Sequence, residues 1–562
     1  MAGKQEQTKT ERARYQIELK LDFDNKTYTG IERVRWVNRD DHSTSILFFH
    51  LYANLRAGAQ QPRTQAALNA LLADAEEPRL DVLEVRAAQT GTVLPFALDD
   101  QATTLRVNLR EAVAPGAATE IEITFKGSVS EIDPEETGLL AHLFQQVGAV
   151  LRSERELRRA RDVNFFCRGV MMLGNAYPVL AAREGGDWQR RVEHSIGDAA
   201  FADVADYSVR VNVAGDVALF TSGERVETSA NEQQVFEGEN IRNFAIIAGR
   251  TLRAEERMID GVKVRSVYMP EHEKVGKRVL GITEAAVRTY ATRFGKLPYK
   301  VLTVAEAPLI AGLGCAEFTG LSIIASAFYV DFDAPVMRNM PEIVREQRAS
   351  LEDSLEFTVA HVVAHGWWGA SVGNNPEREP VLDEALAHWS ALLYYKEVHS
   401  EERVQGILND QLRGVYKIYR TFGGEDMEAN RPAREYRNFF QYAAIIASKG
   451  ALMFTELRRL LGDEKFFTAL VNYYQANMFE IAELEDLRGA FIAEAPLAQR
   501  RVVARTFNRW LSSKRGDEDI SPPDPQLAAA LGITIPQVKK ANDGNAFARL
   551  GKFFWQQMTR IR

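Results

Sequence analysis

Through the first ~250 residues apolar and polar positions alternate. Tyr15, Ile17, Leu19, Leu21 and Phe23 are each separated by one residue of mostly polar character, as are Ile121, Ile123 and Phe125, and Tyr207, Val209, Val211 and Val213. A period of two sends alternate side chains to one face, which predicts half-buried strands in an antiparallel β domain. DFDNK (22–26) and APGAA (114–118) supply turn chemistry between the runs. SERELRRARD (153–162) breaks the pattern and reads as an exposed helix or loop. After residue 252 the period lengthens: KRVLGITEAAVRTYATRF (277–294) is helical, KVLTVAEAP (300–308) reads as a strand, and 350–510 is nearly all helix. SSKRGDEDISPPDPQ (512–526), with Pro522, Pro523 and Pro525, has linker composition. The expected fold class is multidomain α+β: an N-terminal antiparallel β domain at 10–251, an α+β domain at 252–485, and a short helical C-terminal region at 486–562 containing the Pro-rich linker.

Composition narrows the function classes. A chain of 562 residues, 46% hydrophobic and 26% charged, is that of a globular protein with several cores. A net charge of −8 argues against nucleic acid as the main partner. The two cysteines, Cys167 and Cys315, make no disulfide framework. MAGKQEQTKTERARYQ lacks the apolar centre of a secretory signal, and no run of 18 apolar residues occurs, so the expected compartment is the cytoplasm. AFARLGKFFWQQMTRIR (546–562) carries Arg549, Lys552, Arg560 and Arg562 without an acid. As an amphipathic helix it would offer a basic face to a membrane surface or a protein partner. Docking on its own protein is the commoner fate of such a terminal helix.

The chemistry concentrates in FTVAHVVAHGWWGASVG (357–373). His361 and His365 are four apart, so on a helix both rings share one face and can grip one metal ion. In the zinc-protease pattern H-E-x-x-H the residue after the first histidine is a general base; here it is Val362. A His pair alone more often packs in a core. Eighteen residues after His365, at the start of an apolar helical segment, comes Glu384, which would complete a three-ligand site with a fourth position open. Upstream, in LIAGLGCAEFTGLSII (309–324), Gly312, Gly314 and Gly320 permit close backbone approach, and Glu317 is a lone carboxylate suited to a cationic group such as a free amine. By itself that segment would be a glycine-rich turn with an exposed Glu.

Taken in order, these pieces resemble the zinc aminopeptidases of the membrane alanyl aminopeptidase type, the gluzincins, whose signature is G-x-M-E-N or G-G-M-E-Y, then H-E-x-x-H, eighteen residues and E. GCAEF (314–318) is similar to the first piece, with Ala316 for Met; HVVAHGWWG (361–369) to the second, except at Val362; LDEALAHWS (382–390) to the segment holding the last Glu, with Ala385 for Gly. RYQIELKLDFDNKTYTGIERVRWVNRD (14–40), LFFHLYANL (47–55) and SKGALMFTELRRLLGDEKFFTALVNYY (448–474) extend the likeness over most of the chain. The resemblance implies an N-terminal β domain followed by a thermolysin-like catalytic domain. It implies zinc held by His361, His365 and Glu384, a substrate α-amine held by Glu317, and a substrate chain aligned by the backbone of Gly314, Cys315 and Ala316.

Two catalytic positions depart. Val362 stands at the general base. The family's Y-x-K-G motif, whose Tyr donates to the oxyanion, reads Ala447-Ser448-Lys449-Gly450 here. At α-helical spacing Tyr442 points about 140° away from Ala447 and does not replace it. His388, one turn after Glu384 on the same face, is available as a base or fourth ligand, although a second-shell or surface role is the more frequent one. Cys315 reads as packing. The expected function is a zinc-binding aminopeptidase-like homologue, inactive or weakly active, that binds the N-termini of peptides or proteins. The alternative is an active zinc aminopeptidase with an unusual base.

Overall fold

In the computed structural model, residues 12–56, 77–142, 144–145, 157–193, 196–226, 233–339, 342 and 348–530 are described. The alternating N-terminal stretches form one sheet of seven strands: β1 (Ala13–Asp22), β2 (Thr27–Val37), β3 (Arg79–Ala87), β4 (Ala118–Ser128), β5 (Ala205–Asn212), β6 (Glu224–Val226) and β7 (Gln233–Ile241), in the order β6-β7-β5-β1-β2-β4-β3. The apolar partners of the alternation are buried as the period requires: Tyr15, Ile17, Leu19 and Leu21 on β1, Ile121, Ile123 and Phe125 on β4, Tyr207, Val209 and Val211 on β5. Within this sheet one pairing departs from the antiparallel expectation. β1 and β5 run parallel, with Tyr15 opposite Tyr207 and their rings stacked at 4.5 Å. They are joined by no hairpin, so nothing local imposes the antiparallel sense. A five-stranded, a four-stranded and a two-stranded sheet complete this half among the described residues. Residues 153–156 of the charged stretch lie outside the described residues, and 157–162 are less exposed than their composition suggests: Arg159 pairs with the buried Glu77, and Ala160 is buried.

A second five-stranded sheet follows: β8 (Arg253–Ile259), β9 (Val262–Tyr268), β10 (Val301–Ala307), β11 (Cys315–Phe318) and β12 (Leu321–Ala325), ordered β8-β9-β10-β12-β11. β9, β10 and β12 are parallel, and α1 (Glu273–Phe294) makes the crossover from β9 to β10. β10 is buried at every position, as a parallel strand covered on both faces should be. β11 is the edge strand. Two further helices, α2 (Arg348–Ala364) and α3 (Val381–Val398), pack on each other. From Ser354 to Ala364 and from Val381 to Tyr395 every residue of them is buried, so both are core helices without a wet face.

α4 (Ala451–Ala476) is preceded by a π-helical stretch, Ala443–Gly450, that lies on the start of α3: a Cβ on Gly450 would stand 2.9 Å from that of Ala385. Lys449 within it is buried, its Nζ donating to Asp426 Oδ1 at 3.0 Å, Met427 O at 2.7 Å and Ser513 O at 2.8 Å. Asp426 in turn accepts from the Gly516 N–H at 2.8 Å, and Arg420 pairs with Asp517. The Pro-rich stretch after 512 is therefore pinned to the helices rather than hanging free, because Asp517 pairs with Arg420, Asp524 with Lys417, and the Ser513 carbonyl accepts from the buried Lys449. The basic segment 546–562 lies outside the described residues. No helix of the described residues is long and apolar enough to cross a membrane.

Truncating the buried cation tests this anchoring. Lys449→Met leaves Asp426 as a buried carboxylate without its counter-charge, with an expected loss of about 3–5 kcal/mol in denaturant unfolding. Adding Asp426→Asn should recover much of it.

Candidate metal centre and peptide cleft

α2 stops at Ala364 and the chain turns sharply. Gly369, at φ +99°, donates its N–H to Val372 O at 2.7 Å. A Cβ there would be strained and would meet His365 Nδ1 at 3.4 Å and Asp383 Oδ2 at 3.5 Å, so glycine lets the ring and the carboxylate close on the turn. His365 Nδ1 lies 3.1 Å from Trp368 O. A carbonyl only accepts, so Nδ1 carries the proton and Nε2 presents its lone pair. The Trp368 indole donates to Ser390 Oγ on α3 at 3.1 Å, which fixes the turn against the second helix.

His361 Nε2 lies 3.0 Å from His365 Nε2 and 3.7 Å from Glu384 Oε2. Glu384 is in the first turn of α3, where the helix dipole favours the ionised carboxylate. These two spacings from His361 bracket the roughly 3.3 Å edge of a tetrahedron with metal–nitrogen bonds of about 2.0–2.1 Å. Two imidazoles and a carboxylate, all buried, have the donor chemistry of a zinc site. A ring nitrogen of His388 joins this group: donor atoms of His361, Glu384 and His388 lie within 4.8 Å of one another. On the other side, Cys315, Glu317 and His361 form a second set within the same limit. His361 is common to both.

Glu317 faces a cleft formed by two adjoining, partly open hollows. Both are lined by Tyr52, Asn175, Asp198 and Asn243 from the N-terminal half and by Glu317 and Phe318 on β11. The first extends to His365 and Asp383; the second extends to Cys315, Ala316 and Gly197. Gly314 holds the rim, its carbonyl accepting from Ala325 N at 2.9 Å. Cys315 is buried, as a packing residue should be, yet its sulfur shares the donor cluster. The N-terminal wall carries no motif, and only the folded chain brings it to the site. Tyr52 is not a spare donor: its hydroxyl donates to Phe201 O at 3.1 Å and accepts from Phe201 N at 2.9 Å, and burial pushes its pKa up.

Val362 is wholly buried beside His361, and Ala447 is buried in the π-helical stretch. That stretch changes the expectation for Tyr442. Its neighbours along one face are i and i+5, so Tyr442 and Ala447 fall on adjoining turns rather than on opposed faces. The Tyr442 hydroxyl reaches Gly197, where a Cβ would lie 2.9 Å from it, and Gly197 is part of the cleft wall.

Residues 335–510 match the peptidase family M1 domain. Over that segment, less than half of its length, the chain is similar to the M1 family. M1 relatives include aminopeptidase M1-D of Oryza sativa subsp. japonica, 26% identical over 246 residues, covering 43% of this chain and 26% of that protein. Aminopeptidase M1 of Arabidopsis thaliana is 24% identical over 281 residues, covering 48% of this chain and 29% of that one. The aligned parts are thus little more than a quarter of these plant proteins' length. Among solved M1 structures, the zinc metallopeptidase from Deinococcus radiodurans superposes with a TM-score of 0.58 at 16% identity, covering 92% of this chain and 96% of that one. A mutant of it bound to a Tyr-Ser-Ala substrate gives 0.55 at 16% identity over 89% and 94%. At this identity the likeness is one of fold: a multidomain α+β chain with a β-rich N-terminal part and a helical C-terminal part.

The two histidines give the direct test of the centre. The double variant His361→Ala, His365→Ala is expected to lose the roughly one zinc per chain that the wild-type protein retains after dialysis, measured by elemental analysis. Full zinc content in that variant would place the metal elsewhere.

Proposed function

We propose that this protein is a zinc-binding M1 homologue that holds the free N-terminus of a peptide and hydrolyses it weakly or not at all. The observation that carries this reading is Val362: a fully buried aliphatic side chain stands where the M1 resemblance requires a proton acceptor. His361, His365 and Glu384 would hold the metal. When bound, zinc supplies Lewis-acid polarisation of a carbonyl. Glu317 receives the peptide's ammonium group through a charge-assisted hydrogen bond. β11, as an edge strand, offers its backbone to an extended peptide in the manner of strand addition.

The chain's own residues leave two tasks undone. Val362 cannot take a proton, and the Ala447 methyl cannot donate one to a developing oxyanion. A general base is worth ~10²–10⁴ in rate and an oxyanion donor ~10²–10³. As independent losses they multiply to ~10⁴–10⁷, less where the groups act as a unit.

A second reading, an active aminopeptidase with a displaced donor, draws on one observation: the Tyr442 hydroxyl at the cleft wall beside Gly197. In that case Tyr442→Phe would lower turnover of an alanyl substrate by the amount an oxyanion donor contributes. On the reading preferred here it changes little.

Two experiments test the proposal. Free peptides should bind more tightly than their N-acetylated forms, and Glu317→Ala should erase the difference; equal affinities in the parent would remove Glu317 from this role. Val362→Glu combined with Ala447→Tyr should raise alanyl-substrate turnover above the parent at equal zinc content, each change alone doing much less. A parent already at ~1–10³ s⁻¹, the range of ordinary enzymes, and unimproved by either change would overturn the inactive reading.

A further inference from the structure

We propose that Glu32 is a carboxylic acid kept protonated inside the N-terminal β half, and that loss of its proton loosens the sheet around it and the cleft wall fastened to that sheet. Neither the metal centre nor the peptide reading above enters into it.

Glu32 lies on β2 between Ile17 of β1 and Ile123 of β4. The period of two turns it inward with Tyr28, Val34 and Trp36. Arg33, Glu18 and Glu122, each one step along its strand from these positions, alternate to the opposite face, where Arg33 binds Glu122 at 2.8 Å. Glu32 is 0% exposed, and neither of its oxygens accepts a hydrogen bond from the described residues. Its pKa stands well above the usual carboxylate range; burial is the cause, with no cation to oppose it. The titratable groups that face it are three phenols: Tyr15 on β1, Tyr207 on β5 and the loop residue Tyr177. Burial raises their pKa values too, so they remain neutral beside it. An ionised carboxylate in such a place lacks both counter-charge and donors, and holding a proton is the less costly state.

The same phenols fasten the wall of the cleft. The Tyr177 hydroxyl donates to that of Tyr207 at 3.1 Å and accepts from the Phe244 N–H at 3.0 Å, and the Tyr15 hydroxyl accepts from the Leu180 N–H at 2.9 Å. Residues 175–180, held by these bonds, supply Asn175 and Val179 to the cleft. A negative charge on Glu32 acts on all three phenols at once, and so on the bonds that join wall to sheet. Linkage fixes the direction. The folded chain keeps a proton that the unfolded chain releases above about pH 4.3. Stability from this group is therefore complete below that value and falls as pH rises from it toward the folded pKa. Across that window this one group raises the unfolding constant about tenfold per pH unit.

The test uses the full chain. At neutral pH the infrared spectrum of the parent should contain the carbonyl stretch of a protonated carboxylic acid that shifts on isotopic labelling of glutamate and is missing from Glu32→Gln. A parent without any such glutamate band overturns the proposal, and that arm needs no variant to fold. Hydrogen exchange of the β1, β2 and β4 amides then gives an opening constant for parent and Glu32→Gln at each pH, and in their ratio the other titrating groups cancel. The ratio of parent to variant should grow about tenfold per pH unit above ~pH 5; a ratio that stays constant to ~pH 8 overturns the proposal. Glu32→Met, which also lacks the titrating group, should give the same pH trend as Glu32→Gln. At the upper pH the amides of residues 175–180 should exchange faster in the parent than in either variant. Equal exchange over 175–180 overturns the coupling to the cleft wall.

Discussion

The site depends on two helices, α2 and α3, that are buried on all sides and packed against each other. An all-round apolar helix has no solvated face on which to place a polar group. His361, Glu384 and His388 must therefore satisfy one another, the backbone, or an ion. This explains why their contacts are mutual: His365 and His388 each turn Nδ1 to a nearby carbonyl, and Glu384 Oε2 lies 3.7 Å from His361 Nε2 and 3.6 Å from His388 Nδ1. The same burial raises the cost of leaving the cluster half satisfied. A bound cation would settle it by joining the lone pairs to one centre.

Much of the fold was legible because its period is simple. Tyr15 to Leu21 and Ile121 to Phe125 alternate without interruption, and a one-residue slip would send the whole set to solvent. The parallel sense of β1 against β5 was not legible, since pairing between strands so far apart in the chain is decided by the finished sheet. Neither was the anchoring of the stretch after 512: a run of Pro and acids has linker composition whether or not Lys449 and Arg420 wait for its carbonyls and carboxylates. The closeness of His361 and His365 was legible from spacing, because i, i+4 on a helix is a local property, whereas their reading with Glu384 as a ligand set came from the resemblance. The N-terminal wall of the cleft, Tyr52, Asn175 and Asp198, left no such trace, because those residues reach Glu317 only through tertiary packing.

Tyr442 shows how a local assumption misleads. At α-helical spacing it points away from Ala447. The π-helical turn at Ala443–Gly450 restores them to one side and delivers the phenol to Gly197, a glycine whose missing Cβ makes room for the hydroxyl. Wide turns of this kind are uncommon and often functional, and no period in AAIIASKG announces one. Its packing partner does offer a reason: Gly450 sits within 2.9 Å of where its own Cβ would meet Ala385, so the helix approaches α3 more closely than larger residues would permit.

A hydrolytic centre of this type needs a metal with a free position, a base beside it and a donor opposite. Loss of the base alone could mark a site whose base has moved. Loss of the donor alone could mark a slower enzyme. Here Val362 on α2 and Ala447 in the π-helical stretch stand at the two positions where the resemblance expects a base and a donor. Decay by drift would be expected to erode the donors as readily as the base, since neither is needed once turnover is lost. Yet His361 Nε2 still lies 3.0 Å from His365 Nε2 and 3.7 Å from Glu384 Oε2, and Glu317 faces the cleft from an edge strand. What these residues would share is binding: donors through which a metal would tie α2 to α3, and a carboxylate in the cleft beside them.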